Sequence, residues 1–173
     1  MKQHIDVFDY AGQICKAMPR GILLTTASGE TVNTMTIGWG PLGIEWGKKL
    51  FVAYVRESRY TRHLLDETGE FTVNIPAGDA DRNVIRYCGS KSGRDTDKIR
   101  DMGLTLEAPE VISVPGIREF PITLECRVMY KQLQDAGQLP ESTANLYYPE
   151  EDGKVDNHFA YYAEILSAYI ITE

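Results

Sequence analysis

The alternation of apolar and polar residues along the chain predicts short strands joined by a few short helices. Residues 6–18 carry apolar side chains at helical spacing until Pro19 stops the pattern, which predicts an amphipathic helix. Residues 21–26 and 31–38 are two β-rich runs separated by a short loop that contains a glycine. This arrangement predicts a β-hairpin directly after the first helix.

Two core strands are predicted in the next part of the chain. Residues 50–55 form a continuous apolar run, and residues 71–75 alternate strictly, which places Asn74 on the face opposite the apolar side chains. Between these strands we expect a helix that is capped by the Ser58 hydroxyl and ends at Gly69. The pattern therefore predicts a strand, a helix and a second strand in succession.

The rest of the chain continues the β-rich pattern. The same signals predict helices near residues 80–88 and 95–102, each followed by a glycine (Gly89 and Gly103), and strands over residues 122–130 and 159–171. Residues 134–157 are polar and show no periodicity, so no element is predicted there and we expect a long surface excursion. Six or more strands with few helices predict a mainly β barrel with peripheral helices. Without repeats or linker-like segments, residues 1–173 are expected to form a single domain.

Composition and charge narrow the class of protein. The 173 residues are 43% hydrophobic, which suffices for one sizeable core, and the net charge of −7 argues against a nucleic-acid partner. Cys15, Cys88 and Cys126 show neither disulfide nor zinc-ligand spacing, and Cys88 and Cys126 are expected to be buried small hydrophobic residues. The N-terminus lacks the pattern of a signal peptide, and no apolar run approaches a membrane span. We therefore expect a cytoplasmic protein.

Residues 33–40 are unusual for a core strand because small and polar residues replace branched apolar ones. Glycine within a strand marks a bulge or the close approach of a ligand, so a flat heteroaromatic ring could lie against this backbone. A barrel corner is the alternative explanation. The glycines at 38, 40 and 43 match a dinucleotide-binding pattern in spacing, but the turn-rich link that follows does not open the helix that this motif requires.

Two segments offer donors for an anionic group. At residues 56–61 a predicted strand ends and a helix begins, so two arginines, hydroxyls and free backbone amides converge there, as a terminal phosphate requires. The loop at residues 90–94, with Lys98 nearby, is a second such cluster. The three histidines show no metal-ligand spacing, so no metal site is predicted. Only His158 is retained as a candidate catalytic residue.

The chain resembles the flavin reductase-like family of FMN-binding split barrels, which includes flavoredoxins and NAD(P)H:flavin oxidoreductases. The strings that carry the resemblance are residues 33–40, 55–61, 69–76 and 88–98, and together with the spacing between them they span nearly the whole chain. The resemblance implies a six-stranded antiparallel FMN-binding split β-barrel. The chain departs from the family pattern at Gly38, where many relatives carry serine, and in having a longer region between Tyr130 and His158.

The resemblance also implies roles for individual residues. The implied cofactor-binding residues are Asn33, Met35, Thr36, Ile37, Gly38 and Trp39 at the isoalloxazine ring, Arg56, Ser58, Arg59, Tyr60 and Thr61 at the ribityl phosphate, Gly89, Ser92 and Lys98 in a second phosphate-side loop, and Asn74 on the strand behind the flavin. His158 matches a histidine that precedes the last barrel strand, near the open face of the ring.

The implied function is an FMN-dependent oxidoreductase that takes electrons from NADH or NADPH and passes them to a flavin or a protein acceptor. The family also implies a homodimer with flavin sites at the subunit interface, where some of the ten tyrosines could lie. Two alternatives stay open at this point. The chain could be a flavin carrier without a hydride donor, or an enzyme similar to pyridoxine-phosphate oxidases on a related barrel.

Overall fold

The fold is built around one large antiparallel sheet. The structure is a computed structural model and describes residues 1–172. Its eight strands are β1 (Lys2–His4), β2 (Ile22–Ser28), β3 (Thr31–Ile37), β4 (Leu42–Glu45), β5 (Lys48–Arg56), β6 (Glu70–Ile75), β9 (Ile122–Leu133) and β10 (His158–Ile171), while β7 (Leu106–Glu107) and β8 (Gly116–Ile117) form a separate pair. The strands of the large sheet run in the order β3-β2-β6-β9-β10-β5-β4, and β1 pairs with β10.

The helices are short and lie around the sheet. They are α1 (Ala11–Ala17), α2 (Tyr60–Thr68), α3 (Arg82–Ser90), α4 (Lys98–Asp101) and α5 (Glu141–Tyr147), with 3-10 turns at Val7–Tyr10, Met18–Arg20 and Ala136–Gln138. The predicted class, mainly β with peripheral helices, is confirmed, although the sheet has eight strands rather than six. No helix within residues 1–172 has both the length and the apolar character needed to cross a bilayer.

The sheet curls because strands that are distant in its order share one core. Met35 on the terminal strand β3 and Phe51 on β5, five positions along the sheet, belong to the same buried cluster as Phe71, Leu124 and Tyr161. Side chains from both ends of the sheet can meet in one core only if the sheet closes around it. This closure brings the edge of β3 towards the end of β5.

A second buried cluster covers the outer face of β2. Leu23 of β2 packs with Val84 of α3 and with Ile117 and Phe120, whereas Leu24 faces the main core. The helices and residues 104–120 therefore act as a second layer. As a result, polar residues that alternate outward on the central strands are buried as well as the apolar ones.

Three predictions of local structure need correction. Helix α2 begins one residue later than expected, with Arg59 at the N-cap position, and no side chain caps it. Gly89 lies inside α3 rather than after it. A Cβ at this position would lie 3.3 Å from the Thr36 side chain, so the glycine allows α3 to approach β3 closely. The excursion at 134–157 contains a 3-10 turn and α5, which the sequence pattern did not reveal. Gly69, at a φ of 67°, ends α2 as predicted.

Candidate functional site

The predicted site residues converge on one cleft where β3, β5, α2 and β10 meet. β3 is the terminal strand of the sheet, so one of its edges has no neighbouring strand, and its residues 35–37 line the cleft. The register of β5 against β10 pairs Arg56 with His158. Two adjoining cavities form the cleft, and Met35, Arg56 and Arg59 line both of them.

The first end of the cleft, which we call the phosphate end, is a cavity of about 280 Å³ at the start of α2. Since no side chain caps this helix, the first-turn amides of Tyr60 and Thr61 remain available to a ligand. The Thr61 side chain is buried, and its Oγ1 accepts a hydrogen bond from Asn33 Nδ2 at 2.8 Å. Arg59 Nη1 donates to the carbonyl of Gly89 at 2.9 Å, which holds this guanidinium between the two cavities.

The loop at residues 90–94 forms the opposite wall of the phosphate end. The Ser92 hydroxyl accepts the Arg94 amide at 3.2 Å, and the Ser92 carbonyl accepts the amide of Asp95 at 3.1 Å. Gly93 lies so close to β3 that a Cβ there would be 2.1 Å from Asn33 Oδ1. The loop therefore depends on glycine to approach the strand. Arg94 closes the wall by donating to the Ser58 carbonyl at 3.2 Å.

Lys98 reaches the same cavity from the start of α4 and is almost fully buried. Its Nζ donates to the carbonyls of Thr34 and Cys88, each at 3.0 Å, and so joins β3 to α3. Burial lowers the pKa of Lys98 to about 8, with Cys88 opposing this shift and Arg59 adding to it. Neither carbonyl carries a formal charge, so the ammonium is a buried cation without an anionic partner in the described residues.

The other end of the cleft, which we call the ring end, is a cavity of about 230 Å³ along β3. Trp39 lies over it, with its ring 5.4 Å from that of His158. Burial, with Arg56 and Arg59 adding to it and Asp156 opposing it, lowers the pKa of His158 to about 4. His158 is therefore neutral at neutral pH, and its Nδ1 shares a hydrogen bond with the Tyr148 hydroxyl at 2.8 Å.

The structure brings all but two of the predicted site residues to this cleft. Those that line it are Asn33, Met35, Thr36, Ile37, Gly38, Trp39, Arg56, Ser58, Arg59, Tyr60, Thr61, Ser92, Lys98 and His158. Asn74 is a correction: it is fully buried in a ladder of polar side chains, where its Oδ1 accepts from Thr25 and Thr72 and its Nδ2 donates to Thr123. Gly89 does not line the cleft either, although its carbonyl positions Arg59.

The cleft is also lined by residues that neither the sequence pattern nor the family resemblance singled out. Tyr54 lines the ring end, and Lys91, Gly93 and Arg94 line the phosphate end. Tyr54 precedes Arg56 by two positions in β5, so period-two alternation puts both side chains on one face of the strand. This alternation could have predicted that Tyr54 lines the cleft. The loop residues belonged to a segment already identified as cationic, but which of them face the cavity depends on how the loop folds.

The excursion at residues 134–157 is tied to the cleft by its ends. Arg56 donates through Nη1 to the Asp156 carbonyl and through Nη2 to the Tyr147 carbonyl, each at 2.7 Å. The Asp156 carboxylate accepts the Ser58 amide at 3.1 Å and the Ser58 hydroxyl at 2.6 Å. These bonds use the amide and hydroxyl of Ser58 and two of the five N–H groups of Arg56, whereas Arg59 makes a single side-chain hydrogen bond within the described residues and keeps its other N–H groups free.

Comparison with known proteins agrees with the resemblance stated from the sequence. A family model described as flavin reductase like domain matches residues 15–172. Over 111 residues the chain is 32% identical to an uncharacterised protein of Archaeoglobus fulgidus, and the match covers 64% of this chain and 62% of that protein. The chain thus spans between half and two thirds of the length of the curated relatives it matches.

Solved structures share the fold. A flavoredoxin from Methanosarcina acetivorans superposes with a TM-score of 0.63 at 26% identity, over 87% of this chain and 68% of that one. An FMN-binding domain of a flavin reductases-like enzyme from Shewanella baltica gives a TM-score of 0.68 over 98% of this chain and 77% of that one. At 15% identity the second likeness shows the fold alone.

Proposed function

This chain belongs to the flavin reductase-like domain family, and we propose that it is an oxidoreductase that binds FMN in the cleft between β3 and α2. One observation carries the proposal: a single cleft has a cluster of cations and free helix amides at one end and the open edge of a strand at the other. FMN has a phosphate at one end and a flat ring at the other. The cationic end of the cleft therefore matches the FMN phosphate, and the end along β3 matches its flat ring.

At the phosphate end, Arg59 and the first-turn amides of α2 would hold the phosphate, with Lys98 and Arg94 adding positive charge. Charge-assisted hydrogen bonds to guanidinium groups are about twice as strong as neutral ones. The helix dipole adds to this attraction at the same point. In a chain with a net charge of −7, such a local concentration of cations favours an anionic ligand.

At the ring end, the free edge of β3 would take the flavin edge, and Trp39 would limit access of water to the ring face. Bound FMN supplies hydride transfer at its N5, and the protein positions it and excludes competing reactions. His158 carries no charge at neutral pH, so we expect it to hold Trp39 and Tyr148 in place rather than to act as a charged acid.

We propose NADH or NADPH as the electron donor and a flavin or a redox protein as the acceptor. The family, whose domain is described as flavin reductase like, supports reduction of the bound flavin, and the nucleotide donor is part of the proposal. Its test is anaerobic stopped-flow measurement of flavin bleaching after the FMN-loaded protein is mixed with each nucleotide. Saturable reduction by at least one of them is expected. A protein that binds FMN but is reduced by neither would instead be a carrier, and turnover of pyridoxine phosphate would point to the oxidase alternative.

We also propose that the chain acts as a homodimer. Trp46 and Tyr130 are 53% and 46% exposed and pack against the half-buried Tyr162, with ring centroids 5.4 to 6.2 Å apart. Trp46 also has a φ of 50°, a conformation that costs free energy for a residue with a bulky side chain. A second copy would cover these rings. Light scattering should give twice the monomer mass, and Tyr130→Glu should shift the protein to monomer, whereas a wild-type monomer would refute the proposal.

The compartment is proposed on the state of the cysteines. Cys15, Cys88 and Cys126 are all free thiols, and Cys88 and Cys126 are fully buried. Free thiols are typical of a reducing compartment. We therefore propose that the chain works in the cytoplasm.

A further inference from the structure

A further cavity, of about 710 Å³, lies beside the ring end of the cleft. One wall is formed by β5, β9 and β10, and the other by residues 134–148 of the excursion. Trp39 and Tyr54 line both this cavity and the ring end. Its volume lies within the range of about 300–1,000 Å³ that is typical of small-molecule sites. We call it the side cavity.

The lining of the side cavity is aromatic and nearly free of charge. Five aromatic residues contribute to it: Trp39, Tyr54, Tyr147, Tyr148 and Tyr162. Among the described lining residues none is lysine or arginine, and the only acid is Asp135. Its carboxylate accepts the Gly137 amide at 2.9 Å and the Gln138 side chain at 3.3 Å.

This chemistry differs from that of the phosphate end, where several cations face one cavity. An anion that entered the side cavity would lose hydration without meeting a cation, and it would face the Asp135 carboxylate. A flat uncharged ring would instead gain contact with aromatic faces, and the glutamine amides and tyrosine hydroxyls could meet one or two polar substituents. The lining therefore selects against phosphates and carboxylates.

The excursion wall is held in place by several independent contacts. The Gln134 amide donates to the His158 carbonyl at 2.8 Å, and the Ala136 amide donates to Asn157 Oδ1 at 3.2 Å. Tyr147 packs edge-on against Trp39 with their centroids 5.1 Å apart. Apolar side chains nevertheless stay open to solvent on this wall, since Leu139 is 39% exposed and Tyr147 is 42% exposed. The cavity is thus a formed site with apolar surface that a ligand would cover.

We propose that the side cavity binds an uncharged planar aromatic molecule, for which substituted naphthalenes serve as probes. The site would hold this second ligand beside the ring end, against Trp39 and Tyr54. Its binding follows from the lining alone, whereas a role as redox substrate rests on the proposed function.

The test is isothermal titration calorimetry of the FMN-free full chain with two matched probes, 2-naphthamide and 2-naphthoate. They have the same shape, but only naphthoate is charged. Naphthamide should bind saturably at one site per chain, with naphthoate at least tenfold weaker. Gln138→Lys places a cation in the lining and should raise naphthoate affinity at least fivefold while leaving naphthamide nearly unchanged.

A blocking variant locates the site. Thr143→Trp, on the cavity side of α5, should abolish naphthamide binding, while Glu150→Trp, in the same excursion but outside the lining, should not. Circular dichroism checks that each variant is folded. If Thr143→Trp is unfolded, the Gln138→Lys comparison decides. Equal binding of the two probes, no naphthamide binding, or binding that survives in a folded Thr143→Trp protein would each overturn the proposal.

The result is independent of the test of the proposed function. FMN affinity is measured on the same variants and should be unchanged, because none of the three substituted residues lines the phosphate end or the ring end. Naphthamide binding without FMN binding would leave this inference standing and refute the proposed function. FMN binding without naphthamide binding would refute this inference and leave the proposed function standing.

Discussion

Replacing Arg59 with alanine should separate binding of FMN from binding of riboflavin, which lacks the phosphate. Arg59 lines both parts of the cleft, and its Nη1 is held by the Gly89 carbonyl. Within residues 1–172 the Nε and Nη2 groups of Arg59 have no acceptor, so they are available to the phosphate. Arg56, at the end of β5, is instead bonded to two carbonyls of the excursion. The loss in the variant should therefore fall on the phosphate.

The magnitude follows from the charge-assisted hydrogen bonds removed. Such a bond contributes about 1.5–3 kcal/mol when it is desolvated. Since Arg59 is only partly buried, we expect a loss of about 2 kcal/mol, which is about 30-fold in Kd. Thr61→Ala should add a smaller loss of about 1 kcal/mol, because its buried hydroxyl faces the same cavity and also bonds Asn33. Riboflavin affinity should change by less than about twofold in the Arg59 variant.

Fluorescence titration of FMN-free protein with each flavin measures both constants. Arg20→Ala is a matched control because it removes one exposed arginine that lies outside the cleft lining. It causes the same change in net charge, so it reports any long-range electrostatic contribution. If FMN and riboflavin weakened by the same factor in the Arg59 variant, the phosphate would not lie where the cleft places it.

Three further changes test other parts of the cleft and the fold. Above pH of about 8, where Lys98 loses its proton, FMN affinity should fall by up to tenfold per pH unit, while riboflavin and the Lys98→Met variant should show no such fall. A flat FMN profile would contradict the role of Lys98. Gly93→Ala should weaken FMN at least fivefold because its Cβ would meet Asn33, whereas Gly12→Ala, which meets nothing within 4 Å, should bind FMN normally. Glu125→Ala should lower the free energy of unfolding in urea by at least about 3 kcal/mol, because it strands the buried Tyr169 hydroxyl and two backbone amides. A loss below 1 kcal/mol would show that water replaces that carboxylate.

The strands could be predicted because their signal is local. Alternation within 71–75 and within 122–130 located β6 and β9, and the apolar run at 50–55 located β5. Helix α5 was missed because none of its residues is buried, so it has no apolar periodicity to detect. The helix contacts the rest of the protein at the ring end, where Tyr147 packs against Trp39. This contact involves a residue distant in sequence, so the sequence of the helix alone does not predict it.

The site divides in the same way. The contiguous runs 33–39 and 58–61 could be assigned to the cleft because residues that are adjacent in sequence also lie close together in space. Asn74 was assigned to the flavin by the resemblance, whereas alternation showed only that it points away from the main core. A segment distant in sequence, residues 104–120, buries that outer face, and Pro115 and Gly116 lie against the ladder that includes Asn74. Burial on a second face depends on tertiary packing, which period-two alternation does not encode.

The two arginines at the junction of β5 and α2 have different roles in the cleft. Arg56 and Ser58 are bonded to Asp156 and Tyr147, so the junction that sequence alone assigns to the phosphate is partly used to anchor the excursion. Arg59, three residues further on, keeps free donors and stands between the two cavities. The excursion therefore does more than lengthen a loop: by engaging Arg56 it fixes one wall of the side cavity to the same strand that supports the phosphate end. The phosphate end and the side cavity therefore share a structural support, the hydrogen bonds between Arg56 and the excursion.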